Sequence, residues 1–162
     1  MKNKCITAIL FLTFLLGART GHAQLKGFSI GPYFEAAWPH GDLAYTHSNG
    51  IGAGLGADVK LGGHISAMGS YGFMHFGRKT GVEGSSAVNA LPLRLGLKYK
   101  LPLLYFKLES GTASFTRNGG SAVILSPGVG LRLLGLDVQG SYETWLRDEG
   151  WSFASLKIAY HF

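Results

Sequence analysis

The chain has a single cysteine, Cys5, and no apolar stretch long enough to make a membrane helix, its one marked apolar run, near the start, being too short. A structural disulfide is therefore excluded, and so is a helical membrane protein, whose spans need about 20 consecutive apolar residues. Charge is also scarce: Asp, Glu, Lys and Arg together make up 15% of the 162 residues. No basic stripe and no nucleic-acid motif is present, so no nucleic-acid partner is expected. No segment of useful length shows the 3.6-residue period of an amphipathic helix.

The single apolar run lies between Ile6 and Leu16, behind Lys2 and Lys4 and ahead of Gly21, His22 and Ala23. A positive start, a short apolar centre and small residues three apart form the pattern of a secretory signal peptide. Residues 1–23 are expected to be removed after Ala23, leaving Gln24 as the first residue of a single domain, 24–162. Cys5 precedes the apolar run, so it is not placed for lipid attachment. Cleavage would remove Cys5 together with Lys2, Lys4 and Arg19, leaving 12 basic and 9 acidic residues and a net charge of +3.

The rest of the chain is rich in glycine, aromatics and β-branched residues, and its recurring period is two, that of a strand with one apolar face. Eight strands are expected, over 27–38, 51–61, 64–76, 87–100, 103–115, 122–133, 135–146 and 151–162. The connections after the second, fourth and sixth are very short. Those after the first, third and fifth are longer, and the last, 147–150, is a tight turn. Short turns on one side and longer loops on the other suit an up-and-down barrel, with the short side periplasmic.

Charge obeys the alternation. Leu91, Leu93, Leu95 and Leu97 share one face and Arg94 and Lys98 the other. Leu104, Phe106 and Leu108 oppose Lys107 and Glu109. Leu136 and Val138 oppose Asp137 and Glu143. The same rule puts Glu35, Asp58, Lys60, Arg132 and Lys157 on polar faces. Alternation alone does not say which face is inside, since a soluble sandwich alternates too. Three features favour an inward polar face. Glycines crowd it (Gly31, Gly52, Gly54, Gly56, Gly72, Gly96, Gly128 and Gly130), as a narrow interior holding large side chains requires. Phe28, Trp38, Tyr99, Tyr160 and Phe162 lie near strand ends on the apolar face, as interfacial girdles do. The last strand ends in alternating apolar residues and a terminal Phe.

That ending, Ile158-Ala159-Tyr160-His161-Phe162, resembles the C-terminal signal of bacterial outer-membrane barrels. With the Gly-rich alternating strands and the segment Ser126-Pro127-Gly128-Val129-Gly130-Leu131, residues 24–162 are similar to the small outer-membrane β-barrel family that includes OmpA-like transmembrane domains. The resemblance implies an all-β fold, an eight-stranded antiparallel up-and-down transmembrane barrel in the outer membrane of a Gram-negative bacterium. It further implies outer-membrane lipid and lipopolysaccharide as surroundings, and the barrel-assembly machinery as a partner reading Tyr160 and Phe162. No domain follows the last strand, so the peptidoglycan-binding module of full-length OmpA-type proteins is not expected. Fold does not fix role in such a family.

The expected lumen is narrow enough for side chains to fill. It would hold Glu35, Asp58, Glu109, Asp137 and Glu143 against Lys60, Arg94, Lys98, Lys107, Arg132 and Lys157. Hairpin register predicts Arg94 opposite Glu109 and Arg132 opposite Asp137. The reading is a scaffold with a filled lumen, meeting any extracellular ligand through loops 39–50 and 77–86. The alternatives are a narrow channel for small solutes and a lipid-modifying enzyme. For the last, His64-Ile65-Ser66 has the spacing of a His-x-Ser pair, but both residues are expected to point inward at the periplasmic end. His40, Asp42 and His47 read as polar loop surface, and no metal or cofactor is expected. Gly52-Ala53-Gly54-Leu55-Gly56 lacks the strand–turn–helix setting of a nucleotide loop. Trp38, Trp145 and Trp151 read as interface anchors.

Overall fold

In a computed structural model the described residues are 27–79, 81, 86–116, 120–147 and 150–162. The expected signal peptide, and the middle of the loop at 77–86, lie outside them. The eight strands are β1 (Phe28–His40), β2 (His47–Gly62), β3 (Ile65–Arg78), β4 (Val88–Lys100), β5 (Leu104–Phe115), β6 (Ser121–Leu133), β7 (Leu136–Leu146) and β8 (Trp151–Tyr160). Each pairs antiparallel with its neighbour in sequence, and β1 pairs with β8, closing the barrel. A short helix, α1 (Asp42–Thr46), occupies the first long loop.

The apolar face is outward. Phe34, Ile51, Leu95, Leu108 and Leu133 are all more than half exposed, while the alternate positions carrying Glu35, Arg94, Lys98 and Glu109 are buried. A soluble protein arranged this way would expose its apolar side chains to water and bury its charges, so the surrounding medium is hydrocarbon. The outward apolar runs Phe28 to Trp38, Ile51 to Leu61 and Val123 to Leu133 each span ten steps along a strand. At about 3.3 Å per residue and a tilt of about 40°, that gives a band about 25 Å tall, the height of a transmembrane barrel belt. Above the band the outward positions turn polar, as at His40, Asn49, His75 bonded to Asn89, and Thr144 bonded to Ser152.

The short-turn end is tight. Leu134 (φ 51°) and Gly135 (φ 87°) are both left-handed, as the centre of a two-residue hairpin turn of the primed type requires. Proline interrupts the ladders in the strand interiors. The β3–β4 pairing skips at Pro92 and the β6–β7 pairing skips at Pro127, where a ring nitrogen has no hydrogen to give. The register resumes unchanged beyond each skip.

Candidate functional site

Inward side chains fill the lumen in three tiers. At the short-turn end, Asp58 of β2 and Asp137 of β7 face Lys98 of β4 and Arg132 of β6. Lys98 Nζ lies 3.1 Å from Asp58 Oδ1 and 3.3 Å from Asp137 Oδ2. Arg132 Nε donates to Asp137 Oδ2 at 3.0 Å, and its Nη2 reaches both carboxylates. The Tyr105 hydroxyl donates to Asp137 Oδ1, and Lys98 Nζ lies 4.1 Å from the centre of the Tyr105 ring. His161 closes this tier, with Nδ1 3.8 Å from Asp58 Oδ2 and Nε2 3.9 Å from Asp137 Oδ2.

In the middle tier Arg94 makes a two-pronged bond to Glu143, with Nε and Nη2 each at 2.9 Å, while its Nη1 lies 3.3 Å from Glu35. Such a fork is the strongest form of this ion pair. Glu143 also accepts from Trp145 Nε1 at 2.5 Å. Lys107 Nζ reaches Glu109 at 2.5 Å and Gln139 at 2.9 Å. Lys157 lies opposite Glu35 in the β1–β8 register, with Nζ 4.6 Å from the centre of the Tyr33 ring. Three acids (Glu35, Glu109, Glu143) meet three bases (Arg94, Lys107, Lys157) here, and two meet two in the tier at the short-turn end. Each tier is neutral by itself, which is how buried charge is tolerated.

Glycine makes the room. A Cβ on Gly72 would lie 2.3 Å from the Tyr33 hydroxyl, and one on Gly130 would lie 2.3 Å from the same atom of Tyr105. Both rings lie across the lumen over positions where an added side chain would clash with them.

The third tier, at the long-loop end, is apolar. Phe76, Phe115, Trp145 and Phe153 meet edge to face with ring centres 5.3–5.9 Å apart, the favoured geometry for aromatic pairs. Met74, Ile124 and four inward alanines fill between them, and Leu43 of α1 drops in from above, fully buried. His47 packs against Trp151 at 5.4 Å and shares a 2.7 Å hydrogen bond between its Nδ1 and Thr46 Oγ1.

Several expectations are corrected here. Arg94 faces Gly111, not Glu109, because Lys100 pairs with Tyr105 around a turn longer than expected, so the β4–β5 register moves by two. Arg132 does face Asp137. Lys60 has the inward parity but is exposed at the mouth and joins no ion pair with a described residue. Trp145 is not an interface anchor: it is fully buried in the plug, and Trp151 packs against it, whereas Trp38 is outward and 42% exposed. His64 belongs to the β2–β3 turn, exposed and bonded to Lys100 O at 3.0 Å, while Ser66 is buried in the lumen, so the two do not share an environment. His40 donates to Trp38 O at 2.9 Å and does not cluster with Asp42 and His47. Among the described residues, the one group with ligating atoms close enough for a metal is Asp58, Asp137 and His161. Both of its carboxylates are already held by Lys98 and Arg132, so the set serves charge compensation. Tyr160 and Phe162 lie side by side on the outward face, with ring centres 5.4 Å apart.

No protein-family model matches the sequence, and no curated protein matches it. Solved structures do match in fold. The Ail outer-membrane protein of Yersinia pestis in a phospholipid nanodisc superposes with a TM-score of 0.56 at 17% identity, covering 84% of this chain and 99% of that one. The N-terminal β-barrel domain of Pseudomonas aeruginosa OprF gives 0.58 at 12% identity, covering 83% and 97%. A de novo designed transmembrane β-barrel gives 0.56 at 19% identity, covering 84% and 96%. A designed chain with no biological history shares this architecture, so the likeness carries the fold and no role. The outward apolar belt, the closed ladder and these likenesses give one conclusion: the chain has the fold of the small eight-stranded transmembrane barrels of bacterial outer membranes.

Proposed function

We propose that the protein is an outer-membrane barrel with a sealed lumen, a rigid scaffold that displays loops 39–50 and 77–86 outside the cell. On this reading the short turns are periplasmic, the belt is solvated by outer-membrane lipid and lipopolysaccharide, and Tyr160 and Phe162 are read by the assembly machinery during insertion. The observation that carries it is the aromatic plug of Phe76, Phe115, Trp145 and Phe153 with Leu43 above it, each at most 8% exposed. A solute path would have to cross this plug and then two neutral, interlocked charge tiers. The reading assigns the protein no catalysis.

Planar-bilayer recording of the refolded protein tests the seal. The expected result is a flat baseline, and stable steps of nanosiemens size would overturn the scaffold reading in favour of a channel. Orientation is tested by cysteine labelling on intact cells. Ser86→Cys should react with an impermeant reagent and Leu134→Cys should not, and the reverse pattern would overturn the topology.

A further inference from the structure

The charge inventory does not end with the two neutral tiers. At the short-turn mouth, Lys60 of β2 and Lys100 of β4 have the inward parity, and neither joins an ion pair with a described residue. Lys100 lies within electrostatic reach of Asp58, Asp137, Lys98 and Arg132, but those four already neutralise one another. The three short turns carry no acid: they are Leu61 to His64, Leu101 to Leu103, and Leu134-Gly135. Among the described side chains the mouth therefore has two positive charges in surplus. One further group offers unused capacity there. The Arg132 side chain is 24% exposed, and among the described residues its Nη1 donates to Ser29 Oγ alone, at 3.3 Å. The plug closes the far end, so a small ligand reaches these groups only from this mouth.

We propose that the short-turn mouth is a phosphate-binding site, formed by Lys60, Lys100 and Arg132. A phosphate monoester carries about −1.5 to −2 at neutral pH, which matches the surplus, and a guanidinium fork suits its oxygens. The ligand is a phosphoryl group, whether on a soluble molecule or on a lipid headgroup from the inner leaflet. Placing the site in the periplasm rests on the topology proposed above.

The test is an amide NMR titration of the refolded barrel in a phosphate-free amine-oxide detergent, with inorganic phosphate as the probe and chloride of equal ionic strength as the control. Phosphate should give saturable shifts at Gly27, Lys60, Lys100 and Arg132. The double variant Lys60→Gln/Lys100→Gln removes charges outside the neutral tiers, so it should fold normally, with apparent affinity at least ten-fold weaker. A second arm in nanodiscs replaces part of the phosphatidylcholine with phosphatidic acid, whose headgroup is a phosphate monoester. Reproduction of the shifts there assigns the site to a lipid headgroup, and shifts with free phosphate only assign it to a soluble ligand. No saturable shift in either arm, or equal shifts in the variant, would overturn the site. The titration is indifferent to orientation, so its failure leaves the scaffold reading standing, while reversed cysteine labelling would overturn that topology and leave the site in place.

Discussion

Arg94 is the best single place to test whether the lumen is a neutral interlocked network. It is fully buried between Glu143, held by two bonds at 2.9 Å, and Glu35 at 3.3 Å. Arg94→Ala would leave Glu143 without its cation and Glu35 with only Lys157 opposite it, and breaking a buried pair this way costs about 3–5 kcal/mol. Glu143→Ala should cost a similar amount, because Arg94 keeps only Glu35 and Trp145 Nε1 loses its acceptor. Independent losses would sum to about 6–10 kcal/mol in the double variant. Because the two singles break the same bond, the double should cost only about 3–5 kcal/mol, a coupling of roughly 3 kcal/mol or more. The assay is urea unfolding in micelles followed by tryptophan fluorescence, which Trp145 reports directly, with the heat-dependent gel shift as a second measure of the folded barrel. The control is Arg94→Ala with Glu109→Ala. Glu109 is bonded to Lys107 and Arg94 faces Gly111, so this pair should come much closer to additivity. Additivity of the Arg94 and Glu143 variants within about 0.5 kcal/mol would refute the network and favour charges lining a wet channel.

Gly130→Ala should lower stability by more than the usual glycine-to-alanine change in a strand, because the new methyl would meet the Tyr105 ring at 2.3 Å; urea midpoints against Gly140→Ala, where a Cβ meets nothing, would show it. Leu134→Asn should raise stability by about 1 kcal/mol, since Leu134 holds φ 51° in the open and asparagine tolerates that conformation, and an unchanged or lower midpoint would count against the turn assignment. Deleting Phe162 should reduce the folded barrel in outer-membrane fractions, because its N–H closes the seam onto Ile30 O at 3.0 Å and its ring caps Tyr160; an unchanged yield would argue against the role of this terminal strand.

Much of this architecture could be read from alternation because hydrocarbon outside and packed charge inside leave little freedom to either face. Strand ends were less legible. β1 runs to His40 and β2 begins at His47, beyond the apolar band, where outward residues become polar and the period loses its marker. α1 is five residues long, too short for helical periodicity to register. The expected Arg94–Glu109 pairing fails for a reason specific to sheets. A slip of two residues keeps every side chain on its face, so parity cannot detect it, whereas a slip of one would have turned Arg94 toward lipid. The aromatic plug does have a signal in the sequence: Trp145 shares parity with Glu143, and Phe153 with Ser155 and Lys157, which marks both as inward. Proximity to a loop end is the weaker guide, because inward and outward positions both reach the rim. The partners across the lumen, such as Arg94 with Glu143, are not neighbours in any hairpin, and no local pattern announces them.

That last point bears on how the barrel forms. Arg94 and Glu143 are 49 residues apart in sequence, Lys98 and Asp58 40, and Arg132 and Asp58 74. The middle tier draws on β1, β4, β5, β7 and β8, and the tier at the short-turn end on β2, β4, β6 and β7. Neither half of the chain assembles a complete tier. A partly formed sheet would carry unpaired Glu35 or Asp58 toward hydrocarbon until the strands that supply their counter-charges arrive. Closure and charge compensation are therefore one event, with slow, all-or-none kinetics expected of contacts this distant in sequence. The lumen acts as a checksum on the fold, complete only when all eight strands are in register.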